Sequence, residues 1–141
     1  SSLLNIEKGD KLLEIGTGSG YQASVLSHMG AKVYSIERQQ KLYEITNQFL
    51  PRIGYGNVRL LLGDGYQGSQ RFAPFDKILV TAGATYVPDA LVQQLKVGGV
   101  MVIPVGDQIQ KMLRIKKVSE ENVKTEDFGD FRFVPFLKGL A

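Results

Sequence analysis

The residues in this chain that could hold a ligand are glycines at positions 16, 18 and 20 and carboxylates at Glu37 and Asp64. The glycines follow a short apolar run, Leu12-Leu13-Glu14-Ile15, which reads as a buried strand stopped by glycine. Glycine there lets the chain turn tightly and lets a ligand reach the backbone without meeting a Cβ. The segment after Gly20 reads as a helix, and its first N–H groups have no partner inside the helix. They point at whatever sits in the turn. The chemistry implied is a nucleotide-type site at the carboxyl end of a first parallel strand.

Spacing narrows the nucleotide. A dinucleotide site requires G-x-G-x-x-G, and Tyr21 stands where the third glycine belongs. A phosphate-binding P-loop would end in Gly-Lys-Ser/Thr, and no lysine follows here. What remains, E-x-G-x-G-x-G, resembles the first motif of S-adenosylmethionine-dependent methyltransferases. The plain alternative is a glycine-rich strand–helix turn with no ligand.

Glu37 closes a second apolar segment, where doubly wound folds hold ribose hydroxyls with a carboxylate. A solvated acidic cap on a strand is the alternative. Asp64 lies between Gly63 and Gly65, so its carboxylate can accept from an exocyclic amine while the glycines admit a flat ring. Asp and Gly are also ordinary turn formers. Tyr21 and Tyr66 flank the expected crevice and would pack on a ligand or in the core. The single histidine, His28, falls late in the first helix, where a positive charge is stabilising. With no cysteine and no Ser-His-Asp set, nucleophilic triad chemistry has no support.

The elements that must carry these residues alternate. Strands are expected at Lys11 to Ile15, Lys32 to Glu37, Val58 to Leu62, Phe75 to Thr81 and Val100 to Val105. Helices are expected at about Gly20 to Met29, Gln39 to Ile53 and Pro88 to Leu95. In the second helix Leu42, Ile45, Phe49 and Ile53 form the face expected against the sheet. The alternation predicts an α/β fold, a mostly parallel sheet with helices on both faces. Beyond Gly106 the pattern changes, and Met112 to Val118 with Phe131 to Pro135 are expected to form an antiparallel pair at the sheet's edge.

Bulk properties fit a single domain over residues 1–141 with 43% hydrophobic residues. The net charge of +3 is small and spread out, so no nucleic-acid partner is expected. The longest apolar stretch, Val97 to Val105, is broken by glycine and proline and is too short to span a bilayer.

On these motifs the chain resembles the protein-L-isoaspartate (D-aspartate) O-methyltransferase family. The likeness runs through L-E-I-G-T-G-S-G-Y-Q-A at 13–23, G-D-G-Y at 63–66, A-P-F-D at 73–76, L-K-x-G-G at 95–99, I-P-V-G at 103–106 and R-F-V-P at 132–135. The resemblance implies a Rossmann-like methyltransferase fold and S-adenosylmethionine as cofactor, leaving as S-adenosylhomocysteine. It implies methylation of isoaspartyl or D-aspartyl carboxylates in damaged proteins, in the cytoplasm. The implied cofactor-binding set is Glu14, Gly16, Thr17, Gly18, Gly20, Glu37, Arg38, Asp64 and Gly65; no catalytic side chain and no metal ligand is assigned. The family also carries an N-terminal segment with a Gln-Thr-Ile-Ser-type motif, which this chain lacks. The expectation is therefore cofactor binding with impaired turnover, and a monomer or weak self-association through an exposed face. Another methyltransferase, acting on RNA or a small molecule, and a cofactor-binding remnant are the rival readings.

Overall fold

The computed structural model describes residues 3–17, 20–52 and 57–131. Among them the chain forms β1 (Lys11–Ile15), α1 (Tyr21–His28), β2 (Lys32–Glu37), α2 (Gln40–Arg52), β3 (Val58–Leu62), β4 (Phe75–Val80), α3 (Asp89–Gln94), β5 (Leu95–Gly106), β6 (Gln110–Lys117) and β7 (Val123–Phe131). A 3₁₀ turn, Gly65–Gln67, follows β3. The strands make one sheet in the order β3-β2-β1-β4-β5-β6-β7. Pairing from β3 through β5 is parallel, and β6 and β7 are antiparallel. This is a Rossmann-like α/β sheet with an antiparallel C-terminal edge.

Both faces of the sheet are covered, so β1 buries successive residues rather than alternate ones. Leu13, Ile15, Tyr34, Ile36, Ile78 and Met101 pack on one face with Leu91 of α3. Leu12, Val33, Leu79 and Val102 pack on the other with Ala23 and Leu26 of α1. Helix α1 stops at Gly30, which takes φ +97°. Gly30 N donates to Ser27 O and Ala31 N to Leu26 O, the paired bonds that close a helix with a left-handed glycine. That stop delivers the chain directly into β2.

Strand order reverses between β1 and its two neighbours. From β1 the chain moves outward to β2 and β3, then returns to the far side of β1 as β4. The connections that leave the carboxyl ends of β1 and β4 therefore run in opposite directions, and a crevice opens there.

Three expectations are corrected. Among the described residues the last strand is Val123–Phe131, inside the segment expected only to link two edge strands, and positions 132–135 of the strand expected at Phe131 to Pro135 lie outside the described residues. As an edge strand it alternates poorly, and charged cross-strand pairs align it, Arg114 with Glu126 and Lys111 with Asp127. Strand β5 begins at Leu95, because the expected turn at Lys96 to Gly99 is an irregularity within the strand, with Gly98 at φ +88°. In α2 the helix is rotated so that Thr46 is buried, while Ile45 is 49% exposed. Phe49 and Ile53 are outside what the structure describes for side chains. Among the described residues no helix is long and apolar enough to cross a membrane.

Candidate functional site

A cavity of about 530 Å³ opens at the carboxyl ends of the central strands. Ile15 and Gly16 come from the tip of β1, Ile36 and Glu37 from β2 with Arg38 just past it, Asp64, Gly65 and Tyr66 from beyond β3, and Val80 from β4 with Ala82 and Gly83 from the loop after it. Its size is in the range that holds a nucleoside-sized ligand. The fourth wall, from the end of β4 and the loop after it, carries none of the residues singled out in the sequence. In the structure it is part of the same cavity.

Glycine is required at two of these tips. Gly16 has φ +96°, and a Cβ there would stand 2.5 Å from Thr81 Oγ1. A Cβ on Gly65 would stand 2.2 Å from Ile15 Cγ2, which brings the turn after β3 into direct contact with the tip of β1. Hydrogen bonds pin both strand ends. Gly16 N donates to Ile36 O at 2.9 Å, and the Thr81 hydroxyl lies 2.8 Å from Ile15 O and 3.0 Å from Gly16 O. Behind the β4 wall, Ala84 N donates to Pro104 O and Gly106 N to Ala84 O, tying that loop to β5.

The two lining carboxylates are oriented by backbone. Glu37 is buried and its Oε2 accepts from Gln39 N at 2.9 Å. Asp64 is exposed, and its Oδ1 accepts from Tyr66 N at 3.0 Å, which caps the 3₁₀ turn. Two anionic groups, exposed backbone at glycine and the apolar Ile15, Ile36 and Val80 make a lining suited to a polyhydroxylated, amine-bearing ring system. The residues present thus fit a nucleoside cofactor.

Not every residue singled out in sequence reaches the cavity. Gly16, Glu37, Arg38, Asp64 and Gly65 line it; Glu14, Thr17 and Gly20 do not, and Gly18 lies outside the described residues. Glu14 is fully buried on the face covered by α1, because side chains alternate along β1 and Ile15 takes the position toward the crevice. Its Oε1 lies 2.5 Å from Ser35 Oγ, and Ser35 Oγ lies 2.6 Å from Thr17 Oγ1. Oε2 of Glu14 has no hydrogen-bond partner among the described residues. Burial pushes the Glu14 carboxyl up to about 7, against the lowering effect of the Ser35 hydrogen bond. Gly20 caps α1 with φ +87°. Tyr21 is 73% exposed on α1 and, contrary to expectation, does not flank the cavity, whereas Tyr66 does.

Two side chains that organise the site had no role in the sequence reading. Thr81 looks like the last residue of an apolar strand, and Ser35 is one hydroxyl inside K-V-Y-S-I-E. A lone hydroxyl in a buried strand is the signal that something polar must face it. It does not say what. Among the described residues no cluster of three or more acidic or histidine side chains could hold a metal ion.

Comparison with known proteins adds the lineage. The family model for protein-L-isoaspartate(D-aspartate) O-methyltransferase matches residues 1–141. A protein-L-isoaspartate O-methyltransferase of Christiangramia forsetii is 58% identical over 139 residues, covering 98% of this chain and 65% of that protein. A solved protein-L-isoaspartate O-methyltransferase superposes with a TM-score of 0.87 at 34% identity, covering 94% of this chain and 44% of the other. A Plasmodium falciparum structure, described as a beta-aspartate methyltransferase in complex with S-adenosyl-L-homocysteine, gives 0.74 at 25% identity, with 94% and 68% covered. The chain thus spans a little under two thirds of the Christiangramia relative. It belongs to the protein-L-isoaspartate(D-aspartate) O-methyltransferase family.

Proposed function

We propose that the crevice binds S-adenosylmethionine and releases S-adenosylhomocysteine, and that the protein methylates the carboxylate of L-isoaspartyl or D-aspartyl residues in damaged polypeptides. The observation that carries this is the meeting of Glu37, Asp64 and the Gly16 turn in one cavity, on a chain of this family. In this reading Glu37 takes the ribose hydroxyls, Asp64 the adenine amino group, and the backbone from Gly16 onward the methionine portion. Thr17, Gly18, Gly20 and Glu14 act around that turn, and Arg38 lies beside the ribose.

When bound, the cofactor supplies an electrophilic methyl group on sulfur. The acceptor carboxylate is already ionised at neutral pH, so no residue has to remove a proton. That agrees with a lining whose titratable side chains, among the described residues, are Glu37, Arg38, Asp64 and Tyr66. The chain's contribution is then to hold and orient the reactants and to keep water out, with Ile15, Ile36 and Val80 as the apolar walls. The reading carries a cytoplasmic site of action and partners that are isoaspartyl-containing proteins or peptides. It also carries a monomer, or weak self-association through the exposed Tyr21, Val25 and Met29, which are spaced four apart on the α1 segment.

Calorimetry with S-adenosylhomocysteine and a methanol-release assay on isoaspartyl and aspartyl peptides test it. Saturable binding that falls about 10–100-fold in Glu37→Ala is expected, the range for a hydrogen bond to a charged group. Methanol should be released from the isoaspartyl peptide alone. Absence of nucleoside binding, or equal affinity in the variant, overturns the reading.

A further inference from the structure

Gln94, the last residue of α3, is polar yet only 5% exposed. Both ends of its amide are committed to the loop that follows β3. Oε1 accepts from Ser69 N at 2.9 Å, and Nε2 donates to Gln67 O at 2.9 Å. Between these anchors sits Gly68, with φ +63°; a Cβ there would come within 2.2 Å of Gln94 Oε1 and 2.9 Å of Leu91 Cδ2. Loop and amide are therefore in contact with no space for a side chain between them.

The clamped loop is the continuation of a cavity wall. Gly65 and Tyr66 line the crevice, and the 3₁₀ turn that contains them has no buried residue. Gly65 packs on Ile15 and the Tyr66 ring meets Tyr86 edge-on, but with so little burial the placement of this turn also depends on polar contacts. The end of α3 that carries Gln94 is itself tied to the sheet by hydrogen bonds. Lys117 of β6 is buried and its Nζ donates to Val92 O, Gln93 O and Leu95 O at 3.3, 3.3 and 3.0 Å. A cation on the last carbonyls of a helix is favourable, and three bonds fix the end of α3 against the sheet.

We propose that Gln94 is a positioning residue for the crevice: its amide clamps the loop through Gln67 and Ser69 to α3 and thereby holds Asp64, Gly65 and Tyr66 in their ligand-binding geometry. The proposal rests on the functional reading above for its choice of ligand. It does not rest on it for the clamp.

Two variants of the full chain separate these. Gln94→Met keeps the side chain's length and removes both bonds, while Gln94→Glu keeps an acceptor for Ser69 N and removes the donor to Gln67 O. Amide hydrogen exchange reads the loop, and calorimetry with S-adenosylhomocysteine reads the crevice. In Gln94→Met, exchange at residues 66–69 should quicken about tenfold with β1 and β4 unchanged, and the dissociation constant should rise about tenfold. Gln94→Glu should fall between that variant and the parent. Should Gln94→Met fail to fold, Gln94→Glu carries the test alone. Unchanged loop exchange in a folded variant, or a loosened loop with unchanged affinity, overturns the proposal. A parent chain that does not bind the nucleoside sinks the functional reading, and the exchange result then decides by itself whether Gln94 fixes the wall.

Discussion

The hydroxyl of Ser35 lies 2.5 Å from Oε1 of Glu14, inside the sheet and two residues short of the Gly16 turn. It is the one hydrogen-bonding partner given to a fully buried carboxyl whose second oxygen has none among the described residues. The group is raised from the usual 4.5 to about 7. Between those values the folded chain binds more protons than the unfolded one, so stability falls as pH rises through the window. Above pH 7 the cost relative to pH 4 is on the order of 3 kcal/mol. Melting curves should therefore shift upward as pH drops from 8 to 5.5, and Glu14→Gln should be stabilised at pH 8 and flat across the window. The other shifted carboxyls, Glu126 and Asp127, are lowered by Arg114 and by Gly129 N, and do not titrate there. A parent chain with flat stability from pH 5.5 to 8 would show that Glu14 is not buried as described.

Contact between Gly65 and Ile15 closes the crevice across β1 and β3. Gly65→Ala would drive its Cβ into Ile15 Cγ2, displacing the turn that carries Asp64. The expected result is at least a tenfold loss of nucleoside affinity, with overpacking of about 1–3 kcal/mol. Ile15→Ala removes the clashing methyl, so the double variant should bind better than Gly65→Ala alone. Calorimetry on the four proteins of that cycle measures the coupling. Additive effects would mean that the two residues do not meet.

Thr81 joins β4 to the glycine turn through one hydroxyl shared between Ile15 O and Gly16 O. Thr81→Val keeps the shape and deletes the donor, and a loss of about 1 kcal/mol is expected in urea unfolding. Thr81→Ser keeps the hydroxyl and should recover most of it. Equal stability of the valine and serine variants would remove the staple from the account.

Lys117 satisfies three carbonyls at the end of α3 from a buried position. Lys117→Met fills similar volume and leaves those acceptors without their donor, so a loss of about 1–3 kcal/mol is expected in chemical denaturation. Loop exchange at residues 66–69 should also rise, because α3 carries Gln94. A variant as stable as the parent would show that water replaces the ammonium without cost.

Much of this architecture is legible in the chain. Strands β1, β2 and β3 begin and end where apolar runs meet glycine, acid or turn residues, and Gly30 marks the stop of α1. Glu37 and Asp64 follow from their places at strand ends. The misread elements are those with weak local signals. Strand β7 is a charged edge aligned by the Arg114–Glu126 pair, and Ile45 falls on the inward face by period although the helix rotates to bury Thr46.

What the amino-acid order determined alone is local: which segments alternate, where glycine permits a turn, and which strand tips carry a carboxylate. Periodicity reports burial but not neighbours. Only the tertiary structure brought Gly65 onto Ile15, turned Glu14 inward to Ser35 and away from the crevice, added the β4 wall, and set Gln94 against the loop after β3. Each of these is a contact between residues distant in the chain, settled by sheet order and by the packing of helices on its faces.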